Sequence, residues 1–283
     1  MTLLVFGKTG QVALELARRV PDAVFLGRAE ADLSDPAACA ARIAEIRPQA
    51  VINAAAWTAV DRAETEEAAA LVVNGEAPAA MARACAAALI PFVQISTDYV
   101  FDGTGTEPFA PDHRAAPLNA YGRTKLAGEN GVRAAGGVHA ILRTSWVFSA
   151  HGNNFLKTML RLGATREVLS VVGDQIGGPT PAGAIADACL QIAHRLRRAP
   201  ETSGTYHFSG APDVSWADFA RAIMARAGLA CRIEDIPTSA WPTPAARPAN
   251  SRLDCTSLSV FGLDRPDWRA AVAQIIDELD ETK

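Results

Sequence analysis

Short apolar runs alternate with stretches of helical periodicity through the first half of the chain. Runs at 2–6, 23–26, 50–56, 92–95 and 139–142 have the length and composition of buried strands. Between them, apolar residues recur three or four positions apart, as they do on the buried side of a helix. Strands that alternate with helices predict a parallel, doubly wound α/β sheet of the Rossmann-like type.

The pattern is looser beyond residue 148. Helices are predicted to begin near Gly152, over 182–198, over 215–227 and from about Trp268, with a short strand at Val168–Val172. We therefore predict a Rossmann-like NAD(P)-binding domain over 1–148 and a smaller α/β substrate-binding lobe over 149–283. A return of part of 168–198 to the first sheet is an open alternative.

Composition narrows the class of protein. The 283 residues are 49% hydrophobic and 20% charged, with a net charge of −4, so no basic surface favours nucleic acid. No apolar run reaches the roughly 18 residues of a membrane span, and no leader precedes the first strand, so we expect a cytoplasmic protein. Five cysteines are scattered singly, which predicts buried, reduced thiols rather than disulfides or zinc ligands.

A glycine turn follows the first strand, in the pattern Gly7-x-x-Gly10-x-x-Ala13. Gly7 permits a tight turn, and Gly10 lets a pyrophosphate approach the positive end of the next helix. The spacing departs from the usual G-x-G-x-x-G, and an ordinary strand-to-helix turn is the alternative. Arg28 follows the second strand, where its guanidinium suits the 2′-phosphate of NADPH, although an exposed arginine paired with Glu30 would look the same.

Polar residues follow the fourth predicted strand as Ser96-Thr97-Asp98-Tyr99, at the sheet edge where α/β proteins bind ligands. Asn119 is a suitable cap for a helix that carries Tyr121 and Lys125, four residues apart and therefore on one face. The lysine would lower the tyrosine's pKa and hold a ribose; an ordinary exposed helix face is the alternative. Asn74 is predicted to cap a break between two helices.

These motifs resemble the extended short-chain dehydrogenase/reductases and, more narrowly, the dTDP-4-dehydrorhamnose reductase family. The narrower resemblance spans almost the whole chain and rests on 7–12, 53–61, 96–101, 117–119, 143–147, 152–155 and 247–253. It implies reduction of the C4 ketone of dTDP-4-dehydro-6-deoxy-L-mannose to dTDP-L-rhamnose by NADPH, with NADH as the alternative cofactor. The product is a sugar donor of the kind used for lipopolysaccharide O-antigens.

The resemblance also implies roles for site residues. The catalytic residues would be Thr97, Tyr121 and Lys125. Besides Tyr121 and Lys125, it places Thr9, Gly10, Gln11, Val12, Ala54, Ala55 and Ala56 against the cofactor. Gly7 and Arg28 are expected to contact the cofactor for the reasons given above, and so are Asp32 and Leu33 from their position in the loop after the second strand, where Asp32 could instead be an ordinary polar loop residue. Besides Thr97 and Tyr121, the nucleotide sugar would contact Thr58, Asp98, Tyr99, Trp146, Asn153, Arg247 and Asn250.

The oligomeric state of the protein is open, and so are two alternatives to the implied function. Some members of the family bridge two subunits through a metal ion held by acidic side chains; Glu15 could supply one, but Gly183 stands where another is expected. We therefore expect no metal, and a monomer or homodimer. A regulatory subunit, like the related subunit of methionine adenosyltransferase, and a reductase of another nucleotide-linked 4-keto-6-deoxysugar are the alternatives.

Overall fold

Strands and helices alternate along residues 2–281, the part of the chain that the computed structural model describes. The strands are β1 (Leu3–Phe6), β2 (Val24–Leu26), β3 (Ala50–Asn53), β4 (Phe92–Thr97), β5 (His139–Thr144), β6 (Val147–Phe148), β7 (Val168–Val172), β8 (Ile176–Gly177), β9 (Thr180–Pro181), β10 (Gly204–His207), β11 (Val214–Ser215), β12 (Arg232–Ile236) and β13 (Asn250–Ser251). The helices are α1 (Gln11–Arg19), α2 (Pro36–Ile46), α3 (Val60–Ala63), α4 (Glu67–Leu71), α5 (Ala77–Ala87), α6 (Ala120–Ala134), α7 (Phe155–Gly163), α8 (Ala182–Arg198), α9 (Trp216–Arg226) and α10 (Trp268–Glu281).

The central sheet is parallel throughout the described chain, in the order β10-β5-β4-β3-β1-β2. Successive residues of a strand face opposite sides, so Leu3 and Val5 pack with α1 and α8, whereas Leu4 and Phe6 pack with α2 and α5. Both faces of the sheet are therefore buried, which explains why its strands are continuously apolar. The doubly wound α/β prediction is confirmed.

The second half of the chain forms a separate hydrophobic cluster. Phe148, Leu156, Phe219 and Trp268 are buried together there, and β7 pairs with β12 away from the central sheet. In contrast, α8 packs on the central sheet, and β10 adds a sixth strand beside β5. The boundary proposed after residue 148, between the cofactor-binding domain and the substrate-binding lobe, stays a prediction.

Two local predictions need correction, and one strand was missed. β10 was not predicted, because Gly204–His207 is a mixed polar and aromatic segment at the sheet edge. The third strand ends at Asn53 and not at residue 56, since the Asn53 side chain accepts a hydrogen bond from Ala55 N at 3.1 Å and turns the chain out of the sheet. Asn74 is no helix cap; it lies in a π-helical turn, Val72–Glu76.

Other local predictions are confirmed. Asn119 caps α6 by accepting a hydrogen bond from the backbone N–H three residues on, and Asp35 caps α2 in the same way. All five cysteines are buried free thiols. Among residues 2–281, no helix is both long and apolar enough to cross a membrane.

Candidate active-site cleft

A cleft of about 900 Å³ lies along the carboxyl ends of the central strands. The predicted cofactor residues all line it: Gly7, Thr9, Gly10, Gln11, Val12, Arg28, Asp32, Leu33, Ala54, Ala55, Ala56, Tyr121 and Lys125. Its volume lies at the upper end of the range for small-molecule sites, and it runs from the β1–α1 turn to the end of β5. The cleft is therefore long enough to take an extended ligand across several strands.

The glycine turn forms one end of the cleft. Gly7 has φ 112°, and a Cβ there would lie only 3.2 Å from Ala54 C. A side chain at Gly10 would meet only Ala54 O, at 3.9 Å, so the start of α1 is open on that side. Gly10 provides no side-chain cap for α1, whose first N–H groups can therefore receive a phosphate.

Charged side chains surround the end of β2. The Arg28 side chain is 89% exposed, with Nε 3.8 Å from Asp32 Oδ2. The alternative interpretation paired Arg28 with Glu30, but that ion pair does not form. The Glu30 carboxylate instead accepts hydrogen bonds from Lys8 Nζ at 3.2 Å and from Gly27 N at 2.9 Å. Arg28 is therefore free to meet an anion, and Lys8 is a second cation nearby that sequence reasoning left without a role.

Buried polar groups lie at the opposite end, after β4. Thr97 Oγ1 donates to Asp98 Oδ1 at 3.0 Å and accepts from Tyr99 N at 3.2 Å. Burial raises the pKa of Asp98 to about 6, against the smaller lowering effects of the Ser251 and Thr97 hydroxyls. Ser251 belongs to the 247–253 motif, but its proximity to Asp98 was not predicted, because the two residues lie more than 150 positions apart in sequence.

Two buried oxygens of this end, Asp98 Oδ2 and Thr144 Oγ1, lack a hydrogen-bond partner in the described chain. Ser251 lies near enough to Asp98 to influence its pKa, but outside hydrogen-bond geometry with Oδ2. Buried polar atoms are normally paired, so unpaired ones in a cleft fit a site that a polar ligand completes.

Tyr121 and Lys125 project from the first turns of α6 into the cleft. Lys125 Nζ donates to Ile95 O at 2.7 Å, and burial lowers the pKa of Lys125 to about 8 although the charge of Glu129 raises it. Burial also raises the pKa of Tyr121, and the nearby Thr97 hydroxyl offsets only part of this rise. The prediction that Lys125 lowers the pKa of Tyr121 below its ordinary value is therefore wrong. Desolvation of the phenolate is the largest effect, and it raises this pKa.

Asn74 supports the cofactor side of this end. Its Oδ1 accepts from Trp57 N at 2.8 Å, and its Nδ2 donates to Trp57 O at 3.1 Å and to Thr124 Oγ1 at 3.1 Å. The amide thus ties the segment after β3 to helix α6. This fixes Ala54–Ala56 relative to the helix that carries Tyr121 and Lys125.

Most of the predicted substrate residues also line the cleft: Thr58, Thr97, Asp98, Tyr99, Tyr121, Trp146 and Asn153. The rings of Tyr99 and Tyr121 meet edge to face, with centroids 5.6 Å apart. Trp146 has φ 48°, a left-handed conformation that costs a bulky residue about 1–3 kcal/mol. Such strain persists only where surrounding contacts hold the residue in place.

Arg247 and Asn250 are not among the lining residues. Arg247 Nη2 donates to Asp61 Oδ2 at 2.8 Å, which holds the 243–247 segment against α3. Asn250 is 2% exposed, and its Nδ2 donates to Glu107 O at 2.8 Å. Their contacts with a ligand stay predictions, and the contacts they make in the protein are with neighbouring segments.

Glu15 lies in the middle of α1. Its carboxylate accepts from Arg19 Nη1 at 2.5 Å and lies 2.9 Å from His151 Nε2. A Cβ at Gly183 would approach Arg19 Nη2 to 2.9 Å, so the guanidinium fills the space beside Gly183. No cluster of metal-ligating side chains occurs in the stretch 2–281.

A parallel Rossmann-like sheet, a glycine turn after β1, and a tyrosine and lysine four residues apart beside β4 define the extended short-chain dehydrogenase/reductases. A family model described as RmlD substrate binding domain matches residues 1–281. A dTDP-4-dehydrorhamnose reductase from Burkholderia thailandensis is 48% identical, over 99% of this chain and 99% of that protein. The chain belongs to the dTDP-4-dehydrorhamnose reductase family.

Solved structures agree with this assignment. A dTDP-4-dehydrorhamnose reductase from Clostridium acetobutylicum superposes with a TM-score of 0.92 at 34% identity, covering 99% of this chain and 100% of that one. The enzyme from Bacillus anthracis, determined in complex with NADP, gives 0.90 at 34% identity, covering 98% and 100%.

Proposed function

We propose that this protein reduces the C4 ketone of dTDP-4-dehydro-6-deoxy-L-mannose with NADPH, giving dTDP-L-rhamnose. One observation supports this most directly: Thr97, Tyr121 and Lys125 line the cleft at the opposite end from the open glycine turn. The named activity of the relatives and the NADP in the Bacillus anthracis structure support the substrate and cofactor. The proposed domain over 1–148 would hold the cofactor, and the lobe over 149–283 would bind the sugar nucleotide.

The β1–α1 turn would hold the cofactor's pyrophosphate. N–H groups at the start of α1 would donate to the phosphate oxygens, with Thr9, Gln11 and Val12 around them. Arg28 would meet the 2′-phosphate, because its guanidinium is exposed and not committed to an internal ion pair closer than 3.8 Å. Asp32 and Leu33 would border the adenine, and Ala54–Ala56 would border the middle of the cofactor.

At the other end, the bound NADPH would supply hydride to C4. Tyr121 would donate its phenolic proton to the alkoxide forming at O4, a role that its raised pKa suits because the phenol is protonated at neutral pH. Thr97 would donate a hydrogen bond to the same oxygen. Lys125, still mostly protonated at pH 7, donates one N–H to Ile95 O and has two more for the nicotinamide ribose.

The sugar and thymidine would lie towards the second lobe. Asp98 carries the unpaired carboxylate oxygen described above and would accept a hydrogen bond from a sugar hydroxyl. Thr58, Tyr99, Trp146 and Asn153 would surround the rest of the substrate. The monomeric or homodimeric state stays a prediction.

A spectrophotometric assay of cofactor oxidation tests the proposal directly. Purified protein is mixed with dTDP-4-dehydro-6-deoxy-L-mannose, and the loss of reduced nicotinamide absorbance is followed with NADPH and with NADH. We expect turnover with NADPH, formation of dTDP-L-rhamnose, and a loss of about 100-fold to 10,000-fold in kcat for Tyr121→Phe. NADPH affinity should be unchanged in that variant, since only the hydroxyl is removed.

Two results would contradict the proposal. Full activity of Tyr121→Phe would show that another group donates the proton. No turnover by a protein that still binds NADPH would favour a different keto-sugar or the regulatory alternative.

A further inference from the structure

The indole of Trp146 packs against two residues. It stacks on Trp216, with ring centroids 3.6 Å apart and planes 10° from parallel. It also lies close to Gly177, where an added Cβ would come within 2.9 Å of Trp146 Cε2. The absence of a side chain at Gly177 therefore makes room for the indole.

The backbone around Trp146 is fixed as well. Trp146 O accepts from Thr180 N at 3.1 Å, and Ser145 Oγ donates to Gly178 O at 2.8 Å. These bonds explain how a left-handed tryptophan is maintained. They hold the main chain, whereas the indole itself packs against Trp216 and Gly177.

Trp216 belongs to the second lobe. It is the first residue of α9, it does not line the cleft, and its ring contacts Phe155 and Phe219 at centroid distances of 4.6 Å and 6.3 Å. The preceding residue, Ser215, caps α9 by accepting from Asp218 N at 2.9 Å. The lobe's hydrophobic cluster thus fixes Trp216, which in turn meets Trp146 at the cleft.

We infer that Trp216 is a positioning residue for the nucleotide sugar: by stacking on Trp146, it holds that indole where the deoxysugar binds. The inference rests on the proposed function for the identity of the ligand. Deoxysugar rings and their methyl groups present C–H surfaces that pack well on an aromatic ring. An indole held in one orientation binds such a surface without first losing rotational freedom. Trp216 thereby connects the second lobe to substrate affinity.

Binding of dTDP-L-rhamnose, in the presence of NADP⁺, tests the inference without requiring turnover. Isothermal titration calorimetry would compare wild type, Trp216→Ala, Trp216→Phe and Ile223→Ala. Ile223 is a fully buried residue of the same helix and the same cluster, so its variant controls for general destabilisation of the lobe. NADPH affinity is measured separately from the fluorescence of the reduced nicotinamide.

We expect Trp216→Ala to weaken sugar-nucleotide binding about tenfold, which corresponds to the loss of one aromatic pair, with NADPH affinity unchanged. Trp216→Phe should recover most of the affinity, because a phenyl ring still provides a stacking face. Ile223→Ala should lower the melting temperature but not the affinity. The circular dichroism couplet of the stacked indoles should disappear in both Trp216 variants.

The inference is overturned if Trp216→Ala binds the sugar nucleotide like wild type, if it loses NADPH affinity by the same factor, or if Ile223→Ala reproduces its effect. A wild-type protein that binds dTDP-L-rhamnose without catalysing reduction would refute the proposed function while leaving the Trp216 comparison intact. Failure of wild type to bind the nucleotide sugar would overturn both.

Discussion

The two ends of the cleft differ in how they are solvated. At the β1–β2 end, backbone N–H groups and the 89%-exposed Arg28 side chain meet solvent, and Lys8 and Glu30 pair on the surface. At the β4–α6 end, Asp98 and Lys125 are each 3% exposed, and burial is the largest cause of both pKa shifts. A charged side chain at the first end stays hydrated, so its charge costs little free energy. At the second end, desolvation destabilises the charged form. Substitutions at the two ends should therefore differ in size and in sign.

Lys125→Met should have the largest effect after Tyr121→Phe. It removes a buried cation beside the proposed proton donor, and we expect kcat to fall about 100-fold to 1000-fold, as for other placed donors. In wild type, kcat/KM should fall as pH rises above about 8, where Lys125 loses its proton. A pH–rate profile of the variant should lack this alkaline limb; if the limb remains, another group causes it.

Asp98→Asn should stabilise the protein at neutral pH. Burial raises the Asp98 pKa from 3.8 to about 6, so the folded state binds the proton more tightly than the unfolded state. Stability from this group is complete below about pH 4 and is lost as pH rises through 6. At about 1.4 kcal/mol per pKa unit, the carboxylate costs up to about 3 kcal/mol at pH 7.

Denaturant unfolding at pH 4 and pH 7 would measure this effect. The Asn variant should be more stable than wild type at pH 7 and equal to it at pH 4, while its turnover falls. Asp32→Asn at the opposite end is the matched control, because hydrogen bonding to Ser34 N lowers that pKa and its replacement should bring no gain. If both variants were more stable than wild type at pH 7, the carboxylates at the two ends would not differ in the way that their burial predicts.

Local sequence signals predicted much of this arrangement. The Asn119 cap and the four-residue spacing of Tyr121 and Lys125 depend on neighbours in the chain, and both are seen in α6. What sequence reasoning missed depends on distant contacts: Ser251 beside Asp98, Asn74 bonded to Trp57, and Trp216 stacked on Trp146. The sign of the Tyr121 pKa shift was also missed, because a charge partner can be read from spacing but desolvation depends on the packed fold.

Arg28→Ala should have the smallest of these effects and should change cofactor choice alone. The guanidinium is exposed and therefore screened, so we expect NADPH to bind about tenfold more weakly, near the lower limit for a charged hydrogen bond. NADH, which lacks the 2′-phosphate, should bind as before, and added salt should reduce the difference between the two cofactors. Arg28→Lys should recover part of the preference, since it keeps the charge but loses the bidentate geometry. Equal weakening of NADPH and NADH would mean that Arg28 supports the fold of the β2 turn, and the exposed end of the cleft would then be as dependent on packing as the buried one.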